Sequence, residues 1–331
     1  MPLFSRSSSN TPIPLLNSAS PWASTKEDLQ QLWGCPHTQA ITTRTATLEG
    51  YPDDPRKHQV AFFGSKSSIN SYGFAPYPLG KYLEWLREIV KEEPRKKNLI
   101  VSIGASGEEE LEKIFPMLEA FAGDLGIKVG VEFNASCPNL NGSPPPAYSP
   151  AILQSYLTCF ARQNSQNLQF GIKLPPYTYE EQIVSVFKVI EEFSSQFPDA
   201  VEVVSFLTST NTLGQGLVFA DQIAEPTLPS SIAQSSKLNE EFGVPSGYGG
   251  LAGESIHQIS LGNVHRLRTL LNSSLDPRVK GITLIGVGGA SDGASVERFT
   301  RAGADAVAIA TALGREGIEV FEKIRRERNE L

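Results

Sequence analysis

In the run VEFNASCPNLNG at 131–142, a strand-like stretch ends on Asn134, and Ser136, Cys137, Pro138 and Asn139 follow at once. The two asparagines bracket a tight Pro-containing turn that presents Ser136 and Cys137 where the strand leaves the core. Amides carry donors and acceptors side by side, which suits a planar, uncharged, hydrogen-bonding ligand such as an imide or a pyrimidine. A thiol, ordinarily titrating near about 8.5, takes a carbon-bound proton once a cation or the field of the site lowers that value. The alternative for Cys137 is a buried structural thiol, the reading given to Cys35 and Cys159. Lys173 ends the run GIK of GIKLPPY, and Pro175 and Pro176 fix the backbone behind it. An inward-aimed ammonium there stabilises negative charge developing on a cofactor or substrate; the alternative is a surface lysine capping a strand. The glycines of GVGGAS, Gly288 and Gly289, and the Ala310-Thr311 step of AIATALG each join a strand to a helix. Such loops let backbone N–H groups approach a phosphate; the alternative is a plain tight turn.

These residues are positioned by an alternation of apolar, β-branched runs and segments of helical period. Strands are predicted at 13–17, 40–43, 99–103, 129–133, 168–173, 201–207, 282–287 and 306–310. Helices are predicted at 25–33, 79–92, 107–122, 148–165, 179–194, 257–272, 291–302 and 312–329. Ser106-Gly107 and Ser291-Asp292 read as helix starts, and Thr178 with Glu181 as a capping box. Strands apolar on both faces, each followed by a helix, make a parallel (β/α)8 TIM barrel; a doubly wound open sheet is the competing architecture. No GxGxxG follows the first strand, which favours the barrel. In a barrel, chemistry collects where strands end. Those positions here are Asn17, Thr43, Arg44, Gly104, Asn134, Lys173, Thr208, Asn211, Gly288, Gly289, Ala310 and Thr311, a polar set on apolar strands. The standard phosphate position follows strands seven and eight. Two long insertions, about 45–78 and 214–250, read as lids or binding loops. Residues 1–12 are expected to be a short disordered lead, and 13–331 one barrel domain with these insertions over its C-terminal face.

Composition narrows the function class. The 331 residues are 40% hydrophobic and 20% charged, with a net charge of −7. A pI near 5.3 argues against a nucleic-acid or anionic-membrane surface. Three scattered cysteines and no CxxC pair give neither a disulfide framework nor a zinc site, so no metal is expected and the thiols read as reduced and cytosolic. No apolar run reaches membrane-spanning length, and the N-terminus lacks the apolar core of a secretory signal.

Several motifs together resemble one family. NASCPNLNG looks like the catalytic loop of dihydroorotate dehydrogenases, usually N-L-S-C-P-N-x-x-G, and GIKLPPY resembles their G-V-K-L-P-P-Y. SSINSYGF is similar to S-I-N-S-M-G-L, TNTLGQGL to N-S-I-G-N-G-L, and YGGLAG to F-G-G-I-G-G. IGVGGASDGASVERFTRAGADAVAIATAL resembles the phosphate-binding C-terminal part. The matches keep their order from about residue 13 to 325. Cysteine at the base position, with no membrane-associating N-terminal extension, resembles the soluble class, and within it the fumarate-using branch.

The resemblance implies a cytoplasmic, homodimeric FMN enzyme of pyrimidine biosynthesis that oxidises dihydroorotate to orotate and is reoxidised by fumarate at the same site. It makes Cys137 the general base and sets Lys173 against the flavin. Asn70, Asn134, Asn139 and Asn211 would bind the pyrimidine and its carboxylate, with Tyr72, Gly73, Phe74, Thr208, Ser209 and Arg44 on the substrate side. Ser18, Ala19, Arg44, Asn134, Lys173 and Gly250 would contact the cofactor, and Gly288, Gly289, Ala310 and Thr311 its phosphate.

The chain departs from the family pattern at several of these positions. The family's lysine in T-K-x-x-T-L-E is Arg44 in TTRTATLE, which keeps the charge but has a different size and fork geometry. The first Asn of V-N-S-V-N-S-I-G is Thr208, removing an amide expected to face the substrate. Met becomes Tyr72, the A-S-G flavin turn becomes SAS at 18–20, and E-G-N-P-x-P-R reads GYPDDPR. The loop from 217 to 247 is longer. Loss of one buried amide partner costs about 1–3 kcal/mol of discrimination, enough to change the preferred substrate. Two alternatives therefore stand beside dihydroorotate oxidation: an FMN oxidoreductase acting on another small planar or carboxylate-bearing substrate, and a non-catalytic flavin-binding relative.

Overall fold

The computed structural model describes residue 4 and residues 12–95, 97–137, 145–163, 165–197, 204–223 and 241–329. Its strands are β1 (Leu15–Asn17), β2 (Ala40–Thr42), β3 (Val60–Phe63), β4 (Ser67–Asn70), β5 (Asn98–Ile103), β6 (Val129–Asn134), β7 (Leu168–Leu174), β8 (Phe206–Ser209), β9 (Leu213–Leu217), β10 (Tyr248–Gly253), β11 (Thr283–Val287) and β12 (Ala306–Ile309). Eight of these close a parallel barrel in the order β1-β12-β11-β8-β7-β6-β5-β2, with helices between successive strands, as in a TIM barrel.

Strand parity divides the barrel's side chains into two cores. Leu99, Val101, Val131, Phe133, Ile172, Leu207 and Leu284 face outward, into the cluster shared with the helices. Leu16, Ala40, Ile100, Phe206, Ile285 and Ala306 fill the interior, joined by Phe4. Successive residues of a strand point to opposite faces, so Ser102, Glu132, Asn134, Lys173 and Thr208 belong to the interior face. Register then brings them level: Asn134 pairs with Lys173, Lys173 with Thr208, and Thr208 with Ile285. Gly171 makes room below Lys173, since a Cβ there would stand 2.3 Å from the Phe206 ring.

The two insertions form one object. β3 and β4 from the first pair antiparallel with β10 and β9 from the second, giving a four-stranded sheet in the order β3-β4-β10-β9. It has a small core of Ile69, Val218 and Val244. The sheet rests on the loops at the strands' C-terminal ends: Phe62 stacks on Trp22 at 6.0 Å, Ser68 Oγ hydrogen-bonds Thr311 Oγ1, and Lys66 pairs with Asp292.

Several local expectations need correction. The predicted helix at 312–329 is two helices, Thr311–Glu316 and Glu319–Asn329, broken where Gly317 takes φ +73°. The predicted strand at 201–207 forms only from Phe206 on, and 201–203 lie outside the described residues. Thr178 and Glu181 make no capping box: Tyr179 occupies the cap position without a side-chain bond, and the Thr178 N–H donates to Gln182. Gly107 caps Glu108–Leu125, while the Ser106 hydroxyl donates to Glu110. Asp292 does cap its helix, in a reciprocal box with Ser295. Most of the 1–12 lead falls outside the described residues; Phe4 is 5% exposed. Among the described residues, no helix is long and apolar enough to cross a membrane.

Candidate active site

The barrel mouth and the overlying sheet enclose a cavity of about 1040 Å³, opening included.

One wall is cationic. Lys173 is 3% exposed, and its ammonium donates to Ser18 Oγ at 3.0 Å and to the Ala19 carbonyl at 3.3 Å. Burial pulls its pKa down, while Glu132 and Cys137 pull it back up. Glu132 itself is 2% exposed inside the barrel. It accepts from Ser102 Oγ at 3.1 Å and from Thr208 Oγ1 at 2.7 Å.

The amide wall grows from this carboxylate. A carboxylate only accepts, so Ser102 must donate to Glu132, Thr45 Oγ1 to Ser102 Oγ, and Asn134 Nδ2 to Thr45 Oγ1, at 3.1, 3.0 and 3.0 Å. Asn134 Oδ1 is thereby turned to accept from Ser136 Oγ at 3.1 Å and from Asn211 Nδ2 at 3.2 Å. Asn134, Asn211 and Cys137 all reach the cavity. Cys137 is half-buried and within electrostatic reach of two cations, Lys173 and Arg44. Asn139 and Pro138 lie outside the described residues.

A second cation, Arg44, is 6% exposed, with its guanidinium carbon 4.8 Å from the centroid of the Tyr72 ring. Its Nη1 donates to Ser24 Oγ at 3.2 Å and lies 3.8 Å from Asp53, and its Nη2 faces the Gly73 carbonyl at 3.5 Å. Burial lowers the Arg44 pKa against the pull of Tyr82, Asp53, Tyr72 and Cys137. Asn70, Tyr72, Gly73 and Phe74 line the same side, Asn70 fixed by bonds to the Gly250 carbonyl and the Tyr72 N–H.

At the far end glycines form a cradle. A Cβ on Gly288 (φ +125°) would sit 2.1 Å from Ser260 Oγ, and one on Gly289 (φ +75°) 2.8 Å from His257 Cβ. A Cβ on Gly253 (φ +77°) would stand 2.2 Å from the Lys66 carbonyl. Ala310, Thr311 and Lys66 complete this end. His257 braces the loop from behind: Arg298 Nε donates to Nε2, so Nδ1–H donates to the Gly288 carbonyl at 2.8 Å.

The family model for dihydroorotate dehydrogenase matches residues 12–331. The chain belongs to the dihydroorotate dehydrogenase family. It is an oxidoreductase. It is similar to the Streptococcus uberis protein named "Putative dihydroorotate dehydrogenase A (fumarate)", 30% identical over 321 residues that cover 95% of this chain and 87% of that one. The protein of the same name from Streptococcus agalactiae serotype Ia is 29% identical over 321 residues, covering 96% and 89%. That from Streptococcus pyogenes serotype M1 is 28% identical over 322 residues, covering 95% and 87%.

Within this family member, three expected contacts fall elsewhere. Thr208 does not line the cavity, because its hydroxyl turns into the barrel and donates to Glu132. Ser209, on the other strand face, is fully buried and also off the cavity. Gly250 pairs with Asn70 and packs against Thr212, and the cavity wall is reached two and three residues later, by Ala252 and Gly253. Ser18, Ala19, Arg44, Asn70, Tyr72, Gly73, Phe74, Asn134, Cys137, Lys173, Asn211, Gly288, Gly289, Ala310 and Thr311 are brought together. Sequence reasoning missed Glu132, Thr45, Ser102, Lys66 and Gly253. A charged residue inside VGVEF was the available signal for Glu132; Lys66 carried none, since its place depends on how the insertion folds.

Proposed function

We propose that this protein is an FMN-dependent dihydroorotate dehydrogenase that oxidises dihydroorotate to orotate and passes the electrons to fumarate. The observation that carries this reading is the half-buried Cys137 thiol at a cavity flanked by the amides of Asn134 and Asn211 and by two cations, Lys173 and Arg44. The residues present fit the cofactor: Gly253, Gly288 and Gly289 take positive φ and pack too closely on Lys66, Ser260 and His257 for side chains, so bare backbone lines the end where a phosphate would be held, and Lys173 is a buried cation suited to a ring that gains negative charge. Bound FMN supplies the acceptor for the hydride that leaves the substrate ring. Cys137, as thiolate, removes the proton from the adjacent ring carbon; Lys173 and Arg44 favour that thiolate. Asn70, Asn134 and Asn211 hold the ring edge and carboxylate. A cytoplasmic homodimer acting in pyrimidine biosynthesis belongs to the same reading.

A second reading, oxidation of another small carboxylate-bearing substrate by the same cofactor, is favoured by one observation: the Arg44–Tyr72 cation–π pair stands where the family pattern has lysine and methionine. One experiment separates the two. Protein reconstituted with FMN is mixed anaerobically with dihydroorotate, then with fumarate. Bleaching followed by recovery of flavin absorbance supports the first reading. A yellow protein indifferent to dihydroorotate moves the assignment to the second, and a protein that takes up no FMN sinks both.

A further inference from the structure

We infer that Glu132 is a positioning residue for this site, holding Lys173 as its cation and fixing the orientation of the Asn134 amide from beneath. The inference rests on the function proposed above for its flavin-potential and orotate-binding tests, and stands apart from it in the apoprotein stability test.

Three observations carry it. Glu132 is 2% exposed on the interior face of β6, two residues before Asn134, and its oxygens accept from Ser102 and Thr208. Glu132 is the register partner of Gly171, two residues before Lys173 on the neighbouring strand, so the carboxylate lies one layer below the ammonium. Lys173 otherwise meets only neutral oxygens, Ser18 Oγ and the Ala19 carbonyl, among the bonds described. A buried ammonium without a nearby negative charge holds its proton less tightly. The titratable groups facing Lys173, among the described residues, are Glu132 and Cys137. Cys137 is half-buried at the open cavity and has its own proton to move, which leaves Glu132 as the constant counter-charge.

The second role follows from hydrogen-bond direction. Because the carboxylate cannot donate, the chain Asn134 to Thr45 to Ser102 to Glu132 runs one way only, and Asn134 presents Oδ1 to Asn211 and Ser136. Glutamine at 132 would offer a donor to the same chain and release that constraint.

The test compares wild type, Glu132→Gln and Ser102→Ala. With Lys173 already charged, two-electron reduction of bound FMN to its anionic form takes up one proton. In Glu132→Gln, Lys173 enters neutral and gains a second, so the slope of the flavin midpoint potential against pH doubles. Ser102→Ala leaves the charge in place; its slope stays that of wild type while orotate binding weakens several-fold. An unchanged slope in Glu132→Gln overturns the role toward Lys173, and unchanged orotate affinity in Ser102→Ala overturns the role toward Asn134. Failure of wild type to bind FMN counts against the flavin reading alone. In that event, a double-mutant cycle of Glu132→Gln and Lys173→Met on apoprotein stability decides: the double variant loses less than the sum of the singles if the charges are paired, and additivity overturns the pairing. If Glu132→Gln does not fold, rescue by Lys173→Met supports the inference and lack of rescue overturns it.

Discussion

The Arg44 guanidinium carbon lies over the Tyr72 ring, 4.8 Å from its centroid, so two of the residues that depart from the family pattern meet each other in the structure. A planar delocalised cation stacks on an aromatic face; a lysine does so less well, and methionine offers no such face. Tyr72→Met and Arg44→Lys should each weaken orotate binding, and the double variant should recover part of the loss. The expected coupling is about 0.5–2 kcal/mol. Titration of the flavin spectrum with orotate in all four proteins measures it; strict additivity would show the two positions to be independent.

Cys137→Ala should take up FMN as wild type does, since the thiol is not one of the groups that form or pack against the glycine cradle. Anaerobic bleaching by the substrate should slow about 10²–10⁴-fold, the usual worth of a general base. Stopped-flow absorbance reads this directly. Equal rates would refute the base assignment.

Two glycines make opposite predictions. Gly288→Ala places a methyl 2.1 Å from Ser260 Oγ at φ +125° and should cost about 1–3 kcal/mol of stability, with weaker FMN binding. Gly262, inside the helix His257–Ser273, has nothing within 4 Å of its missing Cβ. Gly262→Ala should therefore stabilise by about 0.4–1 kcal/mol. Urea midpoints of the two variants test the pair.

His257 gives the cradle a pH dependence. Burial holds its pKa below the ordinary 6.5; the Gly288 carbonyl works against that shift, and Arg298 adds to it. As pH falls through 6.5 the unfolded chain takes up the proton first, so the stability contributed by neutral His257 is lost on the acid side. The advantage of wild type over His257→Asn in urea should shrink between about pH 8 and pH 5. Curves that stay parallel would remove His257 from this role.

Much of the architecture was legible in local pattern. Strands apolar on both faces announce a parallel sheet covered on both sides, and all eight barrel strands lie within or overlap their predicted runs. Polar residues ending those strands marked Lys173, Asn134 and Arg44 as one rim. Helix ends were less legible: Thr25 and Asp28 form a reciprocal capping box that the pattern did not single out, while Thr178 and Glu181 form none. Capping depends on the φ/ψ entering the helix, which residue types alone do not specify.

The order of strands, the chemistry at their ends and the family kinship follow from residue types and spacing, because periodicity and turn residues act over a few neighbours. Folding in three dimensions decided what depends on partners far apart in the chain. Asn70 meets Gly250, joining two insertions into one sheet over the cavity. Thr208 turns inward to Glu132 instead of toward the cavity, and Tyr72 lies beneath the Arg44 guanidinium. A side chain's role is set by which face it occupies and what stands opposite, and the opposite partner is chosen by barrel register and closure, which no single segment encodes.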